Sequence, residues 1–458
     1  MPSSTSPNGT LAAADQPRLK RLLTVRDLVF FGIVLIQPIA PVGIFGLAQE
    51  KSHGQVSATI VIGMIAMMLT AFSFGRMASL YPSAGSAYTY VSRGLGAHVG
   101  FVAGWAMFLG YLLIPLVNTA YCALTLERVF PGVPYAVWAA TFVAIITVLN
   151  LRGISATARA NMVLLAVMTL VIVAYLGLAI KYLIQTGGVG GLFSYEPFYT
   201  PGKFELRAIG TATSVAALTY IGFDGVTTLA EEVHSPKRSV PIAVVLVCFL
   251  TGVFSTIEVY LAQLAWPDYT TFTNPETAFL DVTQRVGGAW LFQAMGWVLV
   301  IACLGTGLAG QAGAARLLYG MGRENVLPSA FFGHLSPRTR IPNFNVLLIA
   351  GLTLLMLPFV DFELAATVLI FGALVAFMGV NLATIREHFF RRRGGTPSVV
   401  ADLLLPGLGF LFCVAIWLSL PMPAMIGGGV WLLIGLLFDG VKSRGFRVRP
   451  VQIDFSET

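Results

Sequence analysis

The 458-residue sequence predicts an all-α integral membrane protein with about twelve transmembrane helices. Hydrophobic residues make up 56% of the chain and charged residues only 11%, less than half the roughly 25% of a soluble domain. Apolar runs long enough to cross a bilayer as helices recur at 27–50, 57–80, 97–127, 133–150, 158–183, 207–233, 239–264, 287–319, 342–360, 362–387, 402–420 and 422–440. With the N-terminus set in the cytoplasm, only Lys51, Arg128, Lys181, Lys203, Arg207 and Arg285 of the 28 Lys and Arg residues fall outside. By the positive-inside rule this orientation is the expected one, with both tails cytoplasmic in the plasma membrane. The net charge of +7 thus reflects insertion and orientation, and no nucleic-acid partner is expected.

The chain outside those runs offers little else. Residues 1–17 are rich in Ser, Pro and Ala with no apolar core, so 1–23 read as a disordered cytoplasmic tail and not as a cleaved signal. Residues 441–458 form a second cytoplasmic tail. Cys122, Cys248, Cys303 and Cys413 all fall within predicted helices, which suggests neither a disulfide nor a metal cage. No HExxH, Walker loop or nucleophile elbow occurs, so neither an enzyme nor an ATP-driven pump is expected, and no cofactor.

Two of the runs are interrupted. The first holds Gln37-Pro38-Ile39-Ala40-Pro41-Val42-Gly43, where two prolines remove backbone donors and disfavour helix in the residue before each. The sixth holds Tyr220-Ile221-Gly222-Phe223-Asp224-Gly225, with an ionisable residue between glycines at membrane depth. An acid there costs several kcal/mol unless something polar meets it, and marks a functional site by default. Each break opens a set of five runs, 24–200 and 201–390, with the last two runs at 391–440 standing outside. Five is odd, so the sets run in opposite senses, and broken helices at matching places point to a transporter's substrate site at the midplane. A proline kink without a site is the plainer alternative for the first break.

The connections carry a family resemblance. After the second run comes Tyr81-Pro82-Ser83-Ala84-Gly85-Ser86-Ala87-Tyr88-Thr89-Tyr90, then Gly100-Phe101 and Gly104-Trp105. After the sixth come Glu231-Glu232, Pro236-Lys237-Arg238 and Pro241, and the eighth ends Ala315-Arg316-Leu317-Leu318-Tyr319-Gly320. From about residue 24 to 440 the chain resembles the amino acid–polyamine–organocation permeases. Within them, Gly222 through Glu232 and Pro267-Asp268 are most similar to the bacterial putrescine importers. The resemblance implies a leucine-transporter-type fold of five plus five inverted helices with two more at the C-terminus. It also implies secondary transport by alternating access.

Departures from the family pattern bear on the substrate. Family members that carry amino acids hold the substrate carboxylate on a Gly-Ser-Gly-like turn, where this chain has Pro41-Val42-Gly43. That favours an amine without an α-carboxylate. The putrescine importers carry an extra acid near Gly43 that is missing here, which leaves a neutral amino acid as the alternative. A channel or a transport-dead sensor is the remote one. The lysine that several proton-linked members place in the fifth helix is also absent, with Met168 near its position. Coupling by H+ through Asp224, by Na+ or by plain exchange stays open.

Candidate substrate contacts are Gln37, Pro38, Ile39, Ala40, Val42 and Gly43 at the first break, and Tyr220, Ile221, Gly222, Phe223 and Asp224 at the second. Freed carbonyls would hold an ammonium, Asp224 would supply charge or carry a proton, and Tyr111, Tyr220 and Phe223 would enclose the cation. Asp224 reads equally as a structural acid at the gate. Tyr111 and Asn118 share a face of the third helix and reach the cavity or bond between helices. Glu258 is a second intramembrane acid, expected to hydrate near the outer interface, or else to draw cations inward or meet the far amine of a diamine. Thr306, between Gly305 and Gly307, would line an ion path or serve close packing. Glu231, Glu232, Lys237, Arg238, Arg316 and Arg323 would form an inner gate of ion pairs or remain solvated loop charge. Arg391-Arg392-Arg393 is expected to anchor on anionic lipid.

Overall fold

The computed structural model describes residues 23–81, 86–153, 158–323, 326–337, 339–393, 395–445 and 447–448, without the side chains of Leu35, Ser86, residues 158–161 and Glu231. The expected N-terminal tail and most of the C-terminal one therefore lie outside the described residues. What is described is helical. Its one β feature is an isolated bridge between Leu23 and Val233.

In chain order the helices are α1 (Val25–Ile36), α2 (Phe45–Lys51), α3 (Val56–Leu80), α4 (Ser86–Leu95), α5 (Ala97–Val129), α6 (Tyr135–Leu151), α7 (Ala158–Gly187), α8 (Leu206–Ala216), α9 (Pro236–Ala265) and α10 (Ala278–Arg323). Then follow α11 (Ser329–Phe332), α12 (Asn343–Met356), α13 (Phe362–Thr384), α14 (Leu405–Leu418) and α15 (Met422–Lys442). Turns of 3-10 helix at Ala217–Tyr220 and Phe223–Glu232 continue α8, and π-helical turns at Ile385–Phe390 and Val400–Leu404 join α13 to α14. α10 is two helices meeting at Gly288, whose φ of 73° and ψ of −169° suit only glycine.

Among the described residues eight helices are long and apolar enough to cross a membrane, and α6 and α12 are shorter apolar ones. Their outward faces carry large apolar side chains, among them Leu170, Leu355, Leu411, Leu437 and Val441. Exposure of that kind around a whole bundle suits lipid, not water, and the protein is a multi-pass membrane protein.

The broken segments sit in the middle of the bundle. α1 packs on α9 and on the 3-10 segment Phe223–Glu232, while α2 packs on α8. The two interrupted helices thus run side by side through both halves. α3 lies along α9, and α5 along both α10 and α13. At the end that the charge count assigns to the cytoplasm, Phe74, Phe223 and Phe377 meet edge-on or tilted at 5.1–5.5 Å between ring centres. α15 docks on α5 through Trp105 and Trp431, whose rings stack at 4.9 Å. Each indole N–H donates to the other residue's carbonyl, at 2.9 and 2.8 Å.

Candidate functional site

The first break follows from its prolines. α1 begins at a capping box, with Thr24 and Asp27 exchanging side-chain and backbone hydrogen bonds. It ends at Ile36 because Pro38 has no N–H to offer the carbonyl four residues earlier. Gln37 then takes φ 68°, ψ 136°, a strained setting for a residue with a Cβ. Three turn bonds carry the chain to α2: Ala40 N–H to the Gln37 carbonyl, Val42 to Ile39, and Ile44 to Pro41, at 3.1–3.3 Å. The carbonyls of Pro38 and Ala40 accept no hydrogen bond among the described residues.

The second break has a different cause. α8 ends at Ala216 and tightens into a 3-10 turn, after which Ile221 is extended and Gly222 turns left-handed at φ 116°, ψ −12°. Only glycine takes that conformation without strain. The Ile221 N–H bonds Leu218 and the Gly225 N–H bonds Gly222, whereas the carbonyls of Tyr220 and Ile221 accept nothing among the described residues. Each break therefore leaves two main-chain carbonyl oxygens without a hydrogen bond among the described residues. Such oxygens are the ligands a metal cation or an ammonium takes in place of water.

Several expected residues come together here. The Gln37 side-chain amide donates to the Thr306 hydroxyl at 3.1 Å, joining the first break to α10. Asn118 and Tyr111 lie one above the other on α5, over Gly307 and Gly313 of α10. The Asn118 amide, however, returns to the Ile114 carbonyl of its own helix, at 2.8 Å. Gln37, Thr306, Asn118, Tyr111, Gly222 and Asp224 are all half-buried. Asp224 lies within electrostatic reach of Tyr90 on α4 and Cys248 on α9, toward the cytoplasmic end.

Other expectations need correction. Tyr220 is fully buried with its hydroxyl donating to the Ile60 carbonyl of α3 at 2.7 Å, and Phe223 is fully buried against Phe74 and Phe377. Neither ring borders an open space in this conformation, because packing against α3 and α13 takes up both faces. Ile39, Val42 and Gly43 are likewise buried, with Gly43 against the Tyr121 ring. Glu258 does not hydrate at an interface: it is 0% exposed, and neither carboxyl oxygen has a partner among the described residues. Arg316 is exposed on α10, and no ion pair among the described residues joins it to Glu232; the Glu231 side chain lies outside them.

A different polar network occupies the end that the charge count assigns to the cytoplasm. Arg76 of α3 bonds the buried Asp402 and approaches His388 Nδ1 at 3.0 Å. An arginine only donates, so Nδ1 accepts, and His388 Nε2–H donates to the Arg76 carbonyl at 3.2 Å. Alongside, fully buried Glu387 accepts from Tyr81 at 2.7 Å and from Arg391 at 2.7 Å, and Arg393 lies at 3.3 Å. Burial, reinforced by Glu387, pushes the Tyr81 hydroxyl above the ordinary phenol value, so it stays a donor. Sequence reasoning missed this network because its partners lie some three hundred residues apart. The one signal was a glutamate and a histidine inside the apolar 362–387 region and just past it.

With this geometry established, comparison with known proteins identifies the family. The amino acid permease family model matches residues 39–420. The chain is 32% identical over 434 residues to the low-affinity putrescine importer PlaP of Escherichia coli K12, covering 94% of this chain and 95% of that protein. It is 30% identical over 394 residues to the vacuolar cationic amino acid transporter 4 of Arabidopsis thaliana, covering 80% of this chain and 63% of that one. It is 24% identical over 460 residues to the branched-chain amino acid permease BcaP of Bacillus subtilis, at 94% and 95% coverage. Unspent main-chain oxygens at two breaks in a polytopic helical bundle suit carriage of a small solute and not catalysis, and the chain belongs to the amino acid permease family.

Proposed function

We propose that this protein is a secondary active transporter that imports or exchanges a small cationic amine, with putrescine as the type substrate, by alternating access. The observation that carries the reading is the pair of breaks, whose four unspent carbonyls and half-buried Asp224 offer negative potential to an ammonium. Gln37 and Thr306 fix the first break against α10, and Tyr111 lies against Gly313 farther along that helix. The 32% identical relative is a putrescine importer, which supports the same substrate class. In this reading the spans number twelve, with α1–α2 and α8 with its 3-10 continuation each counted as one broken helix. Residues 24–200 and 201–390 are inverted units, 391–440 add the last two helices, and both termini lie in the cytoplasm of a bacterial cell. H+ or Na+ is the candidate coupling ion.

A neutral amino acid is the second reading, favoured by the branched-chain permease among the relatives. Uptake of labelled putrescine and labelled alanine by proteoliposomes, each competed with the other unlabelled compound, separates the two. Saturable putrescine uptake that alanine fails to inhibit is expected. Alanine uptake that putrescine leaves untouched, with no putrescine carried, would falsify the amine reading.

A further inference from the structure

Glu258 is a charge-bearing residue that the carbonyl site does not use. It sits on α9, which packs on the inner half of both broken helices. It is wholly buried, and neither of its carboxyl oxygens meets a donor among the described residues. Burying an ionised carboxylate with no hydrogen bond and no counter-charge costs far more than any single contact returns, and such a group binds a cation or holds a proton.

The surroundings decide between these. Among the described residues no charged side chain pairs with or hydrogen-bonds the Glu258 carboxyl, and Tyr175 of α7 is a titratable neighbour. The Tyr175 hydroxyl is taken by the main-chain carbonyl of Glu258, at 3.3 Å. Charges on the elements packed against α9 are placed elsewhere. Arg76 of α3 pairs with Asp402, Asp27 caps α1, Asp281 of α10 pairs with Arg128, and Arg285 lies over Trp266. Lys181 on α7 and Arg316 on α10 are exposed, while Asp224 sits near Tyr90 at the other end. Among the described residues no side chain hydrogen-bonds the Glu258 carboxyl, and no cluster of His, Cys, Asp or Glu that could hold a metal ion includes it. A proton needs neither.

The site also touches the moving parts. The Tyr175 ring packs on Phe279 at 4.9 Å, and Phe279 meets edge-on, at 5.5 Å, the ring of Phe45. Phe45 is the first residue of α2, where the first broken helix resumes. A displacement of α2 would thus reach the Glu258 main chain through two rings and the Tyr175 hydroxyl.

We propose that Glu258 is the residue through which this carrier takes up and releases a driving proton, an inference that rests on the transporter reading above. A proton from water on one side joins the carboxylate, and it leaves to water on the other side once α2 shifts and hydrates the group. No electron moves and no other bond changes.

Two measurements on the full-length protein in lipid test this. Infrared difference spectra, wild type against E258Q at neutral pH, report the proton with no substrate present. A carboxylic-acid C=O band in the wild type that E258Q lacks is expected, and its absence from the wild type overturns the proposal. In proteoliposomes, an inward proton gradient should drive accumulation of the carried amine. The ratio of that accumulation to counterflow should fall roughly tenfold in E258Q and recover in part in E258D, the size of an ordinary coupling energy. An unchanged ratio in E258Q, or wild-type accumulation that ignores the gradient, overturns it too. If neither putrescine nor alanine is carried at all, the transporter reading fails, and the infrared band alone decides Glu258.

Discussion

Gly222 and Asp224 stand two residues apart and answer different physical demands. Gly222 holds φ at 116°, which a Cβ-bearing residue reaches only at a cost, so it serves the shape of the break. Asp224 is half-buried on the segment that follows and serves charge. Gly222→Ala should therefore cost about 1–2 kcal/mol of folding stability, from the penalty of a left-handed residue. It should lower the thermal transition of purified protein before any ligand is added. Asp224→Asn keeps volume and backbone and should leave that transition nearly in place. Its expected loss is in putrescine affinity, by about tenfold, equivalent to ~1.4 kcal/mol. Ligand-induced thermal shifts across a putrescine titration read both variants in one assay. An Asn variant with wild-type affinity removes Asp224 from substrate binding.

At the scale of elements, what could be read in advance was what depends on neighbours in sequence. The run at 57–80 is α3 at Val56–Leu80, and the run at 422–440 is α15 at Met422–Lys442, because twenty apolar residues specify a helix without reference to a partner. The prolines at 38 and 41 and the glycine at 222 announced both breaks for the same local reason. Helix α4 was read only as a connection. Its buried face is Ala87, Tyr90, Val91 and Gly94, a helical stripe carried by only ten residues, too short to stand out among apolar runs long enough to cross a bilayer. Packing fixed what local pattern could not, notably the turning of Tyr220 to Ile60 and of Phe223 into an aromatic cluster. The Arg76–Asp402 pair belongs to this second kind. Removing one member of a largely buried pair leaves the other without its partner, whereas a surface pair contributes ~0–1 kcal/mol. Asp402 is 3% exposed and Arg76 30%, so discounting for that exposure, Asp402→Asn should cost about 2–3 kcal/mol. Lys51→Ala, which breaks a pair with Glu363 that is about a quarter exposed on each side, should cost under about 0.5 kcal/mol. Thermal unfolding in detergent with lipid compares them. Equal losses would mean that the cytoplasmic network is no more structural than a surface contact.

Over the whole molecule, the orientation of the bundle decides which way the carbonyl site must open to import. The argument is electrostatic: with the N-terminus set in the cytoplasm, six of the 28 basic residues of the sequence fall outside and the rest inside, the asymmetry on which the proposed orientation rests. The structure supplies suitable reporters, since Lys203 and Arg392 are exposed at opposite ends and all four native cysteines are buried. In intact cells a membrane-impermeant maleimide should label Lys203→Cys and spare Arg392→Cys, and it should reach the second only after permeabilisation. The unmodified chain should stay dark in both cases, which makes the readout direct. The opposite pattern would place Asp224 and the Arg76–Asp402 network at the outer end. The 3-10 segment Phe223–Glu232 and the Leu23–Val233 bridge beside it would then close the external entrance. A chain oriented that way would meet extracellular amine first at its polar network, and import would begin with the breaking of buried ion pairs.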